Sequence, residues 1–353
     1  RPVASPHAAS RWRPDLSGGP EFDDLLVVPH LRVQNANAVS SPLTHGFPSM
    51  TAFLGLMWAL ERKTRAAGLD LAFNAVGVVC HDHQEQVSDG GFVNAFRLTR
   101  NPVGKDGKTA AIVEEGRIHL ELSLVFAIYS ERWLQDPDAS AADIATVTKL
   151  LDAMRVAGGS LIPRSGSGWS RHKPYAIAMT GSEGDRQTQF RKAKMRMLPG
   201  FTLVARDDLL DKRHAELTAD NPSASRLDAW LSLSRINWRY EAPGADAAST
   251  DKAAWKHDRA GLGWVVPIPF GYGALGPTHA PGTVTNARDA TTPFRFVESL
   301  YAVGEWISPH RLHTPEQMLW YADSRPDDDI YRCRNDFHAV PATDVAALIA
   351  NLE

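Results

Sequence analysis

Cysteine is nearly absent from the 353-residue chain, which contains only Cys80 and Cys333. Two cysteines so far apart in sequence provide neither a disulfide framework nor a four-ligand zinc site, and they fit a reducing compartment. Long apolar runs are also missing, so the sequence predicts no membrane span and no signal-peptide core. We therefore expect a cytoplasmic protein with no membrane contact.

An excess of charge of either sign is missing as well. The formal net charge is -3, which excludes a protein that attracts polyanions through a globally positive field. Any nucleic-acid site must then be a local patch. Hydrophobic residues make up 43% of the chain and charged residues 22%, which is ordinary for a globular protein. The chain can therefore build a sizeable core, and its length suits about two domains.

Residues 22–165 alternate between strand-like and helix-like apolar spacing. The spacing predicts, in order, a strand at 25–34, a helix at 49–66, strands at 70–80 and 117–129, a helix at 141–156 and a short strand within "GGSLIP". This is the element order βαββαβ of the ferredoxin-like α+β fold. Helices cover one face of such a sheet, and RNA-recognition modules bind RNA on the other face. We therefore expect an open sheet face.

The remaining segments divide the chain further. Residues 1–21 are rich in Pro, Ala, Ser and Arg without periodicity, which predicts a disordered leader. Residues 81–116 are too long for a hairpin turn and contain several turn signals, so we expect a protruding hairpin inserted between the second and third strands. Residues 166–353 predict a mixed α/β C-terminal region packed on the first domain, with an insertion loop at 241–261 and a helix at 292–308.

Two short motifs are compatible with an enzyme. "GYGALG", residues 271–276, matches the glycine fingerprint of dinucleotide sites. Pro277 and Pro281 stop the helix that such a site needs, so a loop is the better interpretation. "HDH", residues 81–83, places two imidazoles on one face of a strand, but a zinc site needs a third ligand that the sequence does not identify. We predict no cofactor, no metal and no catalytic residue.

A basic stretch and a glycine pair could instead contact phosphate. "RKAKMRM", residues 191–197, contains Arg191 and Lys194 and no acidic residue. It is either a solvated basic face or a local phosphate-binding patch. Gly158 and Gly159 follow the second predicted helix, either as a helix C-cap or as a turn whose exposed amides approach a phosphate.

Short polar side chains crowd the segment that follows the first predicted strand. Gln34, Asn35, Asn37 and Ser40 lie between an apolar strand and an apolar helix. Short amides and hydroxyls can contact the phosphates and base edges of single-stranded RNA with little loss of entropy. They can also tie a loop down through hydrogen bonds to its own backbone. Both interpretations stay open.

Blocks of sequence from about residue 22 to about residue 335 resemble a known family in the same order. The blocks are "QNANAVSSPLTHGFPS", "FRLTRNPVGKDGKTAAIVEEGR", "RVAGGSLIP", "LPGFTLV", "WVVPIPFGY", "NARDATTPFRFVE" and "GEWISPHR". They are similar to the second Csy protein of type I-F CRISPR systems, a family of the RAMP superfamily that is built on ferredoxin-like domains. The leader, the tail after about 338 and much of 241–260 lie outside the resemblance.

The resemblance implies a non-catalytic subunit that binds the 5′ handle of a crRNA. Such a subunit pairs with the large Csy subunit, abuts the first backbone Csy subunit and reaches target DNA through the complex. The family's glycine-rich turn corresponds to Gly158-Gly159, and the thumb that kinks the guide RNA corresponds to 81–116. Two alternatives stay open. One is a guide-RNA-processing endoribonuclease, for which His45, His81 and His83 could serve. The other is a dinucleotide-dependent oxidoreductase, which rests on "GYGALG" alone.

The predicted RNA-binding residues come from five parts of the chain: the first strand and its exit, the protruding hairpin, the glycine turn, the basic stretch and a late loop. They are Arg32, Gln34, Asn35, Asn37, Ser40, Arg97, Arg100, Asn101, Lys105, Arg155, Gly158, Gly159, Ser160, Arg191, Lys194, Asn286 and Arg288. Aromatic residues of the second half also predict an obligate protein partner, because large apolar patches usually mark an interface. These residues are Trp264, Phe270, Tyr272, Phe294, Phe296 and Trp306.

Overall fold

The structure is a computed structural model of the chain. It describes residues 19–91, 93–96, 98–100, 103–104, 106–109, 112–163, 172–241, 254–287, 289–325 and 328–337, with the backbone alone at 98–100, 112–114, 241, 254 and 325. Most of the predicted leader and the whole tail after 337 lie outside these ranges.

The first half of the chain contains eleven named strands and three helices within the described residues. In order they are β1 (Asp24–Asn37), β2 (Val39–Ser41), β3 (Thr44–His45), α1 (Met50–Ala66), β4 (Ala72–Glu85), β5 (Val87–Asp89), β6 (Asn94–Phe96), β7 (Leu98–Arg100), β8 (Ile112–Glu114), β9 (Arg117–Tyr129), α2 (Glu131–Gln135), α3 (Ala139–Asp152), β10 (Arg155–Val156) and β11 (Gly159–Leu161).

The second half continues with strands and helices in mixed order. They are β12 (Tyr175–Ala178), α4 (Glu183–Met195), β13 (Phe201–Ala205), α5 (Asp207–Asp220), α6 (Arg226–Leu233), β14 (Trp238–Glu241), β15 (Ala254–His257), β16 (Trp264–Ala274), β17 (Val297–Ile307), β18 (Trp320–Arg325) and β19 (Ile330–Asn335), with 3-10 turns at Pro309–Arg311 and Pro315–Met318. The chain is therefore a mixed α+β protein, as the sequence predicted. The longest described helix, α1, has 17 residues, and no described helix is long and apolar enough to cross a membrane.

Helix α1 follows directly from its sequence. Ser49 is the N-cap, and its hydroxyl accepts a hydrogen bond from the Thr51 N–H at 3.3 Å, which satisfies one of the donors that a helix start leaves unpaired. Met50, Phe53 and Leu54 are buried, as the 3.6-residue spacing of apolar side chains requires. The predicted helix is confirmed almost to the residue.

Four strands of the first half lie side by side in the order β11, β1, β9 and β4, each antiparallel to the next. They are the fourth, first, third and second of the strands that apolar spacing predicted. The same sheet continues from β4 through β13, β17, β16 and β19 to β18, and β18 pairs back onto β4. Strands of the two halves of the chain thus form one continuous sheet.

Both faces of this sheet are covered near the start of β1, so the expected open face is wrong there. Leu26 and Val28 belong to one core cluster together with α1 and α3 residues. Leu25 and Val27 belong to a second cluster, which includes Phe190 of α4. The sequence carried the signal, because a strand buried on both faces reads as a continuous apolar run and not as an alternation. The second face is exposed only beyond Leu31, where Arg32 and Gln34 lie.

The helix predicted at 292–308 is also wrong, because residues 297–307 of this segment form β17. The strand lies between β13 and β16 and pairs with both. Its consecutive residues Ala302 and Val303 are both buried, since the sheet is covered on both faces. A short apolar run of this kind cannot be told from a helix by its spacing alone.

Both predicted insertions contain paired strands in their described parts. β4 runs on to Glu85, where it still pairs with Ile118 of β9, so the protruding hairpin begins at Gln86 and not at residue 81. Its described parts are the pairs β5–β6 and β7–β8. In the loop predicted at 241–261, β15 pairs with β14, and residues 242–253 lie outside the described ranges.

The predicted helix at 141–156 ends early, and a hairpin replaces its last turn. α3 stops at Asp152, and β10 pairs with β11 through Val156 and Gly159. The two residues between them, Ala157 and Gly158, have φ of 47° and 78°. Positive φ at both central residues is what a two-residue type I′ hairpin turn requires. The glycine pair therefore belongs to a β-hairpin and is not a helix C-cap.

Candidate nucleic-acid groove

A groove of ≈ 740 Å³ opens beside the N-terminus of α1. Its walls come from three parts of the chain that are far apart in sequence. Asn37 and Ser40 lie at the exit of β1, Arg155 and Gly158 lie on the β10–β11 hairpin, and Tyr272 comes from β16. We call this cavity the groove. Its volume is in the range of small-molecule and nucleotide sites.

The floor of the groove is a row of small residues on α1. Ala52, Gly55 and Ala59 line it, and a Cβ placed on Gly55 would meet nothing within 4 Å. Residues three and four apart share one side of a helix, so these side chains leave a shallow, open track along α1. These residues were not among those predicted from the sequence, although three small residues at that spacing on a predicted helix were a readable signal.

The amide side chains at the end of β1 bond to the protein itself. Asn35 has a φ of 57° at a register shift of the strand, a conformation that Asn tolerates better than most residues. Its Oδ1 accepts a hydrogen bond from Gln86 Nε2 at 2.5 Å, and its N–H donates to His119 Nδ1 at 3.1 Å. This links the end of β1 to the base of the protruding hairpin.

Asn37 and Ser40 make similar local bonds. The Nδ2 of Asn37 donates to the Val39 carbonyl at 2.8 Å, and the Ser40 hydroxyl lies 2.8 Å from the Thr44 hydroxyl. The Asn37 N–H donates to the Ala157 carbonyl at 2.9 Å, which fixes the β1 exit to the glycine turn. These are the bonds of the loop-tying interpretation, and a contact with RNA stays a prediction.

A row of exposed polar side chains crosses the open end of the second sheet face. Gln34 is directly opposite Ser160, and Ser160 is directly opposite Arg155. Opposed residues of antiparallel strands share a face, and these residues and Arg32 are exposed. The structure thus brings together four predicted residues from two distant segments. We call Arg32, Gln34, Ser160 and Arg155 the polar row.

The two glycines of the turn have different surroundings. A Cβ on Gly158 would meet nothing within 4 Å, whereas a Cβ on Gly159 would lie 2.7 Å from Ala36 N and 2.8 Å from the Gln34 carbonyl oxygen. Gly159 is therefore required for the close approach of β11 to β1. Gly158 faces the groove, and Gly159 does not line it.

The basic stretch forms part of α4 and lies apart from the groove. The Lys194 ammonium donates to the carbonyls of His310 and Leu312, and burial lowers its pKa from the ordinary value. Lys194 thus holds the 3-10 turn after β17 against α4. Arg191 is exposed on the same helix, so it alone of the two predicted residues is positioned to meet a ligand.

The other predicted residues are distant or lie outside the described ranges. Asn286 is exposed in the loop after β16, with a φ of 61°. Arg97, Asn101, Lys105 and Arg288 lie outside the described residues, as does the Arg100 side chain. Their role along a guide backbone stays a prediction.

The histidines of "HDH" are not equivalent. His81 uses both ring nitrogens, with Nδ1 at 2.6 Å from the Pro199 carbonyl oxygen and Nε2 at 2.6 Å from the Ser123 hydroxyl. Burial lowers the pKa of His81 below its ordinary value. His83 is exposed. Within the described part of the chain, no cluster of three His, Cys, Asp or Glu side chains could hold a metal ion.

The glycine pattern "GYGALG" is not a strand-to-helix turn. Gly271, Tyr272 and Gly273 lie within β16 and pair with β19. A Cβ on Gly271 would lie against the Tyr331 carbonyl oxygen, so glycine is needed there for sheet packing. The loop interpretation is therefore corrected to a strand up to Ala274, and the helix N-terminus that a pyrophosphate requires is missing from this described segment.

Comparison with known proteins identifies the family of this chain. The family model described as CRISPR-associated protein (Cas_Csy2) matches residues 26–333. The chain belongs to the Csy2 family of CRISPR-associated proteins. One curated relative, CRISPR-associated protein Csy2 of Pseudomonas aeruginosa (strain UCBPP-PA14), is 45% identical over 312 residues, which cover 87% of this chain and 94% of the relative. The Csy2 match begins within β1 and ends within β19, so the groove and the polar row lie inside the family region.

Proposed function

We propose that this Csy2-family chain is a non-catalytic crRNA-binding subunit of a type I-F CRISPR surveillance complex. It holds the 5′ handle of the guide RNA, pairs with the large Csy subunit and abuts the first backbone Csy subunit. Target DNA is reached through the assembled complex. Family membership supports the assembly, and the groove and the polar row support the RNA contact.

The observation that carries the proposal is that predicted RNA contacts from two distant segments line the same cavity. Asn37, Ser40, Arg155 and Gly158 were selected from sequence as RNA contacts, and they line one cavity although more than a hundred residues separate the two pairs. An exposed guanidinium beside open backbone is suited to a phosphate. The aromatic ring of Tyr272 at the same cavity is suited to stacking on a base, which single-stranded RNA presents freely.

The strand order supports a fold assignment that goes with this function. We infer that residues 22–165 form a ferredoxin-like RAMP domain, because β11, β1, β9 and β4 follow the antiparallel order of that fold. The inserted thumb then corresponds to the excursion after Gln86, and residues 166–353 are the C-terminal region packed on it. RNA would lie at the open end of the second face and not across the whole sheet.

The two enzymatic alternatives have less support. As the base of a nuclease, His81 would have to accept the proton of a ribose 2′-hydroxyl, but its Nδ1 faces the Pro199 carbonyl and its Nε2 faces the hydroxyl of Ser123, which is buried. The dinucleotide alternative requires phosphate-binding amides at a helix start, and "GYGALG" lies within a strand and the turn after it. Labelled repeat RNA incubated with the protein and Mg²⁺ should therefore stay intact, and site-specific cleavage would contradict the non-catalytic assignment.

The binding proposal is tested by titrating the full chain into fluorescently labelled handle RNA at several salt concentrations. Arg155→Ala should weaken binding and lower the slope of log affinity against log salt by about 0.7, the value for one phosphate contact on a single strand. Arg235→Ala, an exposed arginine between α6 and β14, is the matched control and should leave the slope unchanged. Equal slopes for both variants would contradict a phosphate contact at the groove.

A further inference from the structure

A second cavity, of ≈ 610 Å³, shares the wall formed by Ser40, Pro48 and Ser49 with the groove but has a different lining. Four aromatic rings line this cavity, and each ring contacts the next. The ring centroids of Phe47 and Trp306 are 4.8 Å apart, those of Trp306 and Trp264 are 6.2 Å apart, and those of Trp264 and Phe201 are 5.5 Å apart. We call this cavity the aromatic pocket.

The charged side chains that line the aromatic pocket are acidic. Asp82 and Glu85, both exposed at the end of β4, contribute carboxylates. His45 also lines the pocket, and its Nδ1 lies 3.7 Å from Glu85 Oε2. No lysine or arginine is among the described residues of the lining. The pocket therefore combines aromatic faces with two carboxylates and the imidazoles of His45, His81 and His83.

Aromatic faces beside carboxylates are suited to binding a guanidinium group. A planar cation stacks on tryptophan and phenylalanine faces, and its fork of N–H donors pairs with carboxylates. We propose that the aromatic pocket is a docking site for an arginine side chain presented by a segment of a protein partner. The proposal stands independently of the RNA site, since it uses other residues and the opposite charge.

The apolar rim indicates a protein segment and not a free small cation. Trp264 is 51% exposed, Phe201 is 43% exposed and Leu43 is 63% exposed, and all three line the pocket. A guanidinium alone would leave this rim in water, whereas the side chains that flank an arginine in a protein segment would cover it. Arginine and aromatic anchors are common at the strongest points of protein interfaces, where the surrounding contacts exclude water.

An RNA base in the same pocket is disfavoured by electrostatics. Each stacked base brings a phosphate close to Asp82 and Glu85, which would repel it. The described lining offers no lysine or arginine to offset the repulsion, and its basic side chains are the imidazoles of His45, His81 and His83. The neighbouring groove has the reverse character, because its charged lining residue is Arg155. The two cavities are therefore expected to take different macromolecules.

The first test uses N-acetyl-arginine amide as the probe on the full chain. The indole N–H signal of Trp264, identified as the one that Trp264→Phe removes, should shift on titration. N-acetyl-citrulline amide, which has the same shape without charge, should shift it at concentrations at least about tenfold higher, because the charge-assisted bonds are lost. Glu85→Gln should weaken the arginine probe by about the same factor. Equal response to the two probes, or a response to cytidine monophosphate alone, would overturn the proposal.

The second test uses the complex assembled by co-expression of the neighbouring subunits. Glu85→Lys should release a protein subunit, as measured by native mass spectrometry, while the variant chain alone keeps the wild-type affinity for handle RNA. Glu298→Lys, at an exposed carboxylate of β17 outside the pocket lining, is the matched control. A complete complex with Glu85→Lys would overturn the proposal. A gain in RNA affinity of the isolated variant with intact protein subunits would assign the pocket to RNA and overturn it as well.

Discussion

The glycine pair of the β10–β11 hairpin allows the fold and the candidate site to be perturbed separately. At Gly159, an added Cβ would lie 2.7 Å from Ala36 N and from Val33 Cγ1. Two strands hold this part of β1, because β9 pairs with it on its other side. β11 would have to move away by several tenths of an ångström, so overpacking should cost about 1–3 kcal/mol in Gly159→Ala.

At Gly158 the obstacle is the backbone conformation and not space. Its φ of 78° disfavours most side chains, whereas Asn and Asp adopt such values several-fold more readily. Gly158→Asn and Gly158→Asp should therefore both fold with a loss of about 1 kcal/mol or less. Only the Asp variant places a negative charge at the groove, and it should bind handle RNA several-fold more weakly than the Asn variant.

The assay pairs thermal or urea unfolding with anisotropy titration of handle RNA for all three variants. Gly159→Ala should unfold earlier, while Gly158→Asp should lose RNA affinity without a matching loss of stability relative to Gly158→Asn. If Gly159→Ala is as stable as the wild type, the packing argument is refuted. If the Asp and Asn variants bind RNA equally, the groove at Gly158 is not an RNA surface.

Three further predictions concern two buried carboxylates and one half-buried lysine. Burial and the neighbouring Asp23 raise the pKa of Asp24 to about 6, so the folded state binds a proton more tightly than the unfolded state, and stability falls as pH rises from about 4 to about 6. At pH 7, Asp24→Asn should therefore have a higher free energy of unfolding in urea than the wild type, by at most about 3 kcal/mol. This difference should vanish below about pH 4, and a difference that does not change with pH would contradict the pKa shift. Lys194→Ala should lower the free energy of unfolding by about 2 kcal/mol, because it removes hydrogen bonds to two carbonyls. Arg191→Ala, at an exposed position of the same helix, should lower it by less than about 0.5 kcal/mol. Equal losses in urea unfolding would show that Lys194 does not hold the 3-10 turn against α4. Asp143→Ala should lose about 3 kcal/mol because buried Asp143 accepts the Trp133 indole N–H at 2.9 Å and an arginine N–H, and near-neutral stability by calorimetry would contradict that estimate.

Local periodicity was enough to predict the elements that build the centre of the sheet. α1 and β9 carry clear periods of 3.6 and of two residues, and apolar runs mark β1 and β4. All four elements lie where the sequence predicted them, although β4 runs on to Glu85. β17 was mistaken for a helix because its residues are buried on both faces. The β10–β11 hairpin was mistaken for a helix end because glycine favours both kinds of turn.

The remaining features depend on contacts between residues far apart in the chain, which local sequence patterns do not predict. Phe190 lies far from β1 in sequence, and no local pattern indicates that it shares a cluster with Leu25. The polar character of Asn35 and Asn37 was evident, but their hydrogen-bond partners depend on a strand bulge and on the approach of distant residues. The aromatic pocket likewise joins Phe47 to Trp264 and Phe201, a proximity that only the sheet order creates.

The most direct test of the central claim is photocrosslinking of the assembled complex that contains handle RNA with 4-thiouridine at successive positions. Crosslinked peptides identified by mass spectrometry should come from segments 32–40 and 154–160, which carry the groove and the polar row. Crosslinks confined to other parts of the chain, such as α5 and α6, or RNA that crosslinks only to other subunits, would contradict the account.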